Sequence, residues 1–172
     1  MRPEILFPLF APITSLKGVG PRNAPILEKL AGPVVRDVLF LKPHALIRRR
    51  HATVETAVEG ETQIFSVEIE AYLKPRAPSQ PWKVRAFDGT GFLTLVYFGG
   101  YGAQQETRHP VGSKRIASGK VERFGSELQI AHPDLVPPDQ ADHIPLLEAV
   151  YPASAGLPPR TVRRFVHEAL EK

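Results

Sequence analysis

The stretch QIFSVEIEAYL, residues 63–73, alternates apolar and polar side chains with a period of two. Phe65, Val67, Ile69, Ala71 and Leu73 share one face, and Ser66, Glu68 and Glu70 share the other. Successive side chains of a strand point to opposite faces, so the pattern predicts a half-buried β-strand. A polar, proline-rich loop (74–81) leads into residues 82–87, with Val84 and Ala86 expected inward and Lys83 and Arg85 outward. Asp88-Gly89-Thr90-Gly91 then reads as a hairpin turn, because Asp-Gly readily adopts positive φ values. A third strand, 92–98, is apolar on both faces; strands at 114–124 and 127–131 follow, separated by Gly125-Ser126 and ending ahead of Pro133. Five strands with a longer connection between the third and fourth predict an OB-type barrel. A sandwich would need about seven.

Outside this region the period changes. Ala24, Ile26, Leu27 and Leu30 lie at helix-like spacing, Val34 to Leu41 supplies a second short apolar stretch, and Gly32-Pro33 separates the two. Near the other end, Val162, Phe165, Val166, Ala169 and Leu170 recur on one helical face, with Arg160, Arg163 and Arg164 opposite. The expected fold class is therefore α+β, mainly β: a five-stranded OB-type barrel flanked by short N-terminal helices and a C-terminal helix. The expected organisation is a helical segment at 1–55, the barrel at 56–137, and a proline-containing linker and helix at 138–172.

With 172 residues, 42% of them hydrophobic, the chain can bury a core. It has no cysteine, which excludes disulfides, cysteine-ligated zinc and thiol catalysis. No apolar run approaches the roughly 20 residues of a membrane span. Residues 1–10 carry Pro3 and Pro8 and lack the pattern of a signal peptide, so the expectation is a cytoplasmic protein with no membrane association. The net charge of +4 is modest, but its distribution is uneven. Basic residues crowd into 42–51, 74–85, 108–123 and 160–164, and acidic ones into 55–70 and 134–148, which suggests an anionic polymer as partner.

No G-x-x-x-x-G-K-[ST] loop occurs, no histidine pair has metal-ligand spacing and no serine sits in a G-x-S-x-G elbow. Catalysis and metal binding by these residues alone are not expected. Gly18-Val19-Gly20-Pro21 reads either as a phosphate-approaching hairpin or as a tight turn that starts a helix. Trp82, Lys83 and Arg85 on the second strand are candidates for holding a single strand, Trp82 by stacking; the alternative is a tryptophan that caps the barrel core. On the third strand, Leu93, Leu95 and Tyr97 alternate with Phe92, Thr94, Val96 and Phe98, ahead of a glycine-rich tip carrying Tyr101. One barrel has one interior. One of Tyr97 and Phe98 belongs to the core, and the other, with Tyr101, is available to stack on bases.

The segments SLKGVGPRNAPILEKL (15–30), VRDVLFLKP (35–43), DGTGFLTLVYF (88–98), GKVERFGSELQIAHPDLV (119–136) and VYPASAGLPPRTVRRFVHEAL (150–170) occur in an order that resembles the N-terminal region of the RecG family of bacterial ATP-dependent DNA helicases. The barrel resembles that family's wedge domain. The resemblance implies a wedge at the point where strands part, in DNA repair and recombination at replication forks and Holliday junctions. It favours Phe98 as the stacking residue, Tyr101 as its weaker partner and Tyr97 as the anchor behind them. Tyr97-Phe98-Gly99 stands where relatives often have Phe-Phe-Asn. Ile47-Arg48-Arg49-Arg50 stands where many have Tyr-x-Asp-Arg, which makes Arg50 the equivalent of their arginine.

The two helicase lobes, which would use ATP and Mg, are not in this sequence. The resemblance thus implies an N-terminal piece of a longer enzyme that itself needs no cofactor. The expected partners are branched and single-stranded DNA, bound by a monomer. A second reading makes the barrel a protein-interaction module that docks the acidic tail of a single-strand-binding protein.

Overall fold

A computed structural model describes residues 3–99 and 101–172. In chain order its elements are α1 (Ala24–Leu30), α2 (Val35–Leu39), β1 (Ala45–Arg48), β2 (Arg50–His51), β3 (Thr62–Leu73), β4 (Trp82–Phe87), β5 (Phe92–Tyr97), α3 (Tyr101–Arg108), β6 (Lys114–Phe124), β7 (Glu127–Ala131), β8 (Asp134–Val136), β9 (Leu147–Val150) and α4 (Pro159–Leu170). Short 3-10 segments lie at Glu4–Phe10, Ile13–Ser15 and Pro138–His143. The chain divides into two units, 48–147 and 1–47 with 148–172.

The first of these is the barrel. Its strands run β3-β4-β5-β7-β6, and β3 pairs with β6 to close the ring. Among these five strands all pairings are antiparallel except β5 with β7, which is parallel. Short strands β2 and β8 extend the sheet beside β3 and β6. This is the expected OB-type barrel. Phe65, Val67, Ile69, Val84, Ala86, Leu93, Leu95, Val121 and Ile130 fill its interior. Gly119 makes room for Ile130, whose side chain occupies the space a Cβ would take.

Three details depart from the sequence pattern. The register of β3 against β4 shifts between Ile69 and Ala71, a β-bulge that reverses the alternation beyond it. Tyr72 therefore packs on the core and Leu73, expected inside, is exposed. Second, the connection between β5 and β6 is not a plain loop but contains α3. Third, Trp82 shares the inward parity of Val84 and Ala86 and packs against the core, as in the capping alternative, instead of joining Lys83 and Arg85 outside.

The other unit joins the two ends of the sequence. Ile13, Leu16, Val19, Leu27, Val35 and Val38 share a core with Leu157, Val162, Phe165, Val166 and Ala169. The apolar face of α4 is thus spent on this shared core, against α2, whereas Leu170, at its last turn, is exposed. Gly18, at φ 84°, turns the chain tightly with Val19 buried beneath it. An ion pair between Arg163 and Glu148 ties α4 to β9.

Asp88 fixes the β4–β5 turn. One carboxylate oxygen accepts from Thr90 N–H (2.8 Å), the Thr90 hydroxyl (2.8 Å) and Gly91 N–H (3.0 Å). The other accepts from Val54 N–H at 2.6 Å, which staples the segment before β3 onto the barrel. Burial works against this charge, but the donors from Val54, Thr90 and Gly91 outweigh it and hold the carboxyl below its usual range. Asp88→Ala is expected to lower stability by about 2 kcal/mol in urea unfolding, since it orphans several donors at once. Because the folded pKa lies below the unfolded value of ~3.9, that contribution is present above pH ~4 and is lost as the pH falls through the folded value. The gap between wild type and variant should therefore close at low pH.

Candidate nucleic-acid interface

At the end of β5 and just beyond it the chain carries aromatic rings at 97, 98 and 101. Tyr97 is the last inward residue of β5 and only 4% exposed. Phe98, of opposite parity, is 50% exposed, and Tyr101, the first residue of α3, is 65% exposed. Gly99 makes the intervening turn at φ 68°. The helix is seated at both ends. Near its start, Gly102 lies against Trp82 so closely that a Cβ would run into the indole ring. At its end, the Tyr72 hydroxyl donates to the carbonyls of Gln105 (3.0 Å) and His109 (2.6 Å). Burial, reinforced by Glu106 and opposed by Arg115, pushes the Tyr72 phenol up to about 12. Arg115 Nε donates to His109 Nδ1 at 2.7 Å, and burial together with Arg115 and Arg108 lowers the pKa of His109.

At the centre of the aromatic group is His132, just past β7. Its ring lies 5.6 Å from Phe98, and edge-on to Tyr97 at 6.1 Å and Tyr101 at 6.3 Å. Its backbone N–H donates to Val96 O at 2.8 Å, and its Nε2 accepts from Phe98 N–H at 3.4 Å. Sequence reasoning passed over His132 as one of six scattered histidines. Nothing in its local sequence marks it, because its neighbours come from a strand more than thirty positions away.

The outward face of β4 and β5 forms a separate feature. Lys83, Arg85, Phe92 and Thr94 line a groove of about 520 Å³ with Leu73, Val54 and, from the β6–β7 hairpin, Arg123 and Leu128. The Arg85 guanidinium lies 3.8 Å over the Phe92 ring and 3.5 Å from Glu70; Lys83 Nζ is 3.8 Å from Glu127. Exposed pairs of this kind are worth about 0–1 kcal/mol, so another anion can replace the carboxylate at small cost. Arg123 is a second basic residue the sequence reading did not single out.

Arg50 lies elsewhere. It pairs with Glu61 at 2.7 Å and borders a shallow pocket with Arg48, Arg49 and Gly60. In the ladder Arg50 is opposite Gln63, whereas Arg85 is opposite Ala71. Eight residues of β3 separate them, roughly 26 Å at ~3.3 Å per residue. The structure thus brings together Phe98, Tyr101, Tyr97 and Trp82 at one end of β4 and β5, sets Lys83 and Arg85 on the adjoining face, and leaves Arg50 apart. Among the described residues no group of three or more His, Asp or Glu side chains is placed to hold a metal ion, and no helix is long and apolar enough to cross a membrane.

The Tyr97 hydroxyl is buried with no hydrogen-bond partner among the described residues. Burial, with Tyr72 and Asp134 adding to it, raises its pKa. An unpaired buried hydroxyl costs free energy that a phenyl ring of the same shape avoids. Tyr97→Phe is therefore expected to leave thermal stability unchanged or raise it, by up to about 1 kcal/mol. A clear loss in chemical unfolding would show that the hydroxyl has a partner.

No family model matches the chain. It is 29% identical over 163 residues to the ATP-dependent DNA helicase RecG of Acidithiobacillus ferridurans, covering 92% of this chain and 23% of that protein. It is 25% identical over 174 residues to RecG of Escherichia coli K12, covering 93% and 24%. The chain thus spans about a quarter of the length of these relatives. Among solved structures, RecG bound to a three-way DNA junction superposes with a TM-score of 0.76 at 20% identity, over 93% of this chain and 22% of that one. In sequence and in fold alike, the chain is similar over nearly its whole length to the N-terminal region of the RecG helicases.

Proposed function

We propose that the chain is the branched-DNA-binding region of an ATP-dependent DNA helicase, with the barrel acting as a wedge where strands part. The observation that carries this reading is the pair of half-exposed to exposed rings, Phe98 and Tyr101, held at one end of the barrel by a fully packed support. Aromatic faces of this kind stack on any unpaired base. Tyr97 and Trp82 act from behind, as the packed base of the tip. Lys83 and Arg85 on the adjoining groove hold the phosphate backbone of a single strand, exchanging Glu127 and Glu70 for phosphate. Arg50 contacts phosphate separately. The similarity to RecG, solved on a three-way DNA junction, supports branched DNA as the substrate. The setting proposed is replication forks and Holliday junctions in DNA repair and recombination, with the protein a cytoplasmic monomer. ATP and Mg are then used by motor lobes outside this sequence.

Binding of fork, four-way junction, single strand and duplex at two salt concentrations tests the proposal. Branched substrates are expected to bind more tightly than duplex, and affinity to fall steeply with salt as counterions are released. Phe98→Ala should weaken fork binding by about 1–3 kcal/mol, roughly 5- to 150-fold, with the circular dichroism spectrum unchanged. Unaltered fork affinity in a folded variant would remove Phe98 from the interface.

The groove itself favours a second reading. Its basic rim over apolar Phe92, Leu73 and Leu128 suits an acidic peptide with an apolar end, such as the tail of a single-strand-binding protein. Such a tail peptide would compete with single-stranded DNA for Lys83 and Arg85. Binding of both at once, measured by fluorescence anisotropy, would separate the peptide site from the DNA site.

A further inference from the structure

We infer that His132 is the positioning residue of the aromatic tip: its imidazole sets where the Phe98 and Tyr101 rings stand, and so how well an unpaired base is received between them. The inference rests on the stacking role proposed for Phe98 and Tyr101 and extends it to a residue with no stacking role of its own.

The first argument is backbone geometry. His132 is the one described non-glycine residue with positive φ, at 45°. This left-handed region is uncommon for residues with a Cβ, although histidine enters it more readily than most. The following Pro133 adds to the cost, since residues before proline favour extended backbone. A histidine outside the core, held in a strained conformation that glycine would adopt freely, points to a use for the ring. His132 is exposed and contributes nothing to the barrel core.

The second argument is what the ring touches. Three aromatic side chains surround it, two of them the exposed pair. Its Nε2 also receives the N–H of Phe98, the residue at which the chain leaves β5. Edge-on packing against Tyr101 and tilted packing against Phe98 restrict both rings, which lowers the ordering cost of stacking on a base. The backbone N–H of His132 bonds to Val96 O, so the support is anchored to the strand that leads directly into Phe98.

The test exploits the opposed signs of strain and support. His132→Gly and His132→Asn remove the ring while suiting the left-handed backbone. Each full-length variant is compared with wild type by thermal unfolding and by binding to a synthetic fork carrying 2-aminopurine at the unpaired base beside the branch point. The expected result is a Tm equal to or above wild type, with fork affinity reduced roughly five- to tenfold and the 2-aminopurine quenching diminished. Wild-type affinity and quenching in either variant would overturn the inference. So would an affinity loss matched by a fall in Tm, since that is the behaviour of a residue needed only for folding. Phe98→Ala, measured in parallel, separates the two levels. If it too binds like wild type, the stacking reading itself fails; if it binds weakly while the His132 variants bind normally, only the role of His132 does.

Discussion

The parallel pairing of β5 with β7, Thr94 opposite Gln129, Leu95 opposite Ile130 and Val96 opposite Ala131, governs the rest of the structure. Parallel strands cannot be joined by a tight turn, so the chain leaving β5 has to travel before it can return. It does so through α3 and β6. The same pairing makes both strands end at one end of the barrel, so the residues that follow them emerge side by side. Phe98 and His132 meet for that reason. Tyr101 joins them because α3 begins directly after the exit of β5.

Seating α3 then becomes the local problem, and it is solved by two different means. At the start, glycine at 102 allows the helix backbone to lie directly on Trp82, which in turn caps the interior through its place in the inward row of β4. At the end, hydrogen bonds take over: Tyr72 and Arg115 satisfy carbonyls and a ring nitrogen at the turn of chain where the helix stops. Tyr72 reaches that position because the bulge in β3 turned it inward. The aromatic tip is consequently mounted on rigid packing, although both of its outer rings face solvent. A site built this way presents apolar surface at little cost in conformational entropy.

Much of the barrel was legible in the chain because strand periodicity is a local signal. The two-residue alternation of 63–70, the Asp-Gly turn at 88–91 and the Gly-Ser turn at 125–126 gave five strands with limits close to those observed. The alternation also separated Leu93, Leu95 and Tyr97 from Phe92, Thr94, Val96 and Phe98 and restricted the choice to one of Tyr97 and Phe98 as exposed; the closed barrel decided that the first set is core. Periodicity failed where something non-local intervened. A single inserted residue in β3 exchanged Tyr72 and Leu73, and no composition cue announces a bulge. The run Tyr101 to Arg108 contains polar residues and a glycine, and becomes a helix because Trp82 and Tyr72 provide a seat for it.

From its own residues, the sequence determined an OB-type barrel with helices at either end, a segregated charge pattern, and an aromatic cluster following the third barrel strand. Those properties follow from short-range alternation, turn chemistry and composition, which any window of the chain carries. Tertiary structure decided which aromatics are supports and which are exposed, that Arg50 stands apart from Lys83 and Arg85, that the first and last sections share one core, and that His132 sits among the three rings. Each of these is a juxtaposition of residues distant in sequence. Its physical cause is the closure of the sheet, which fixes neighbours across strands in a way that no local pattern encodes.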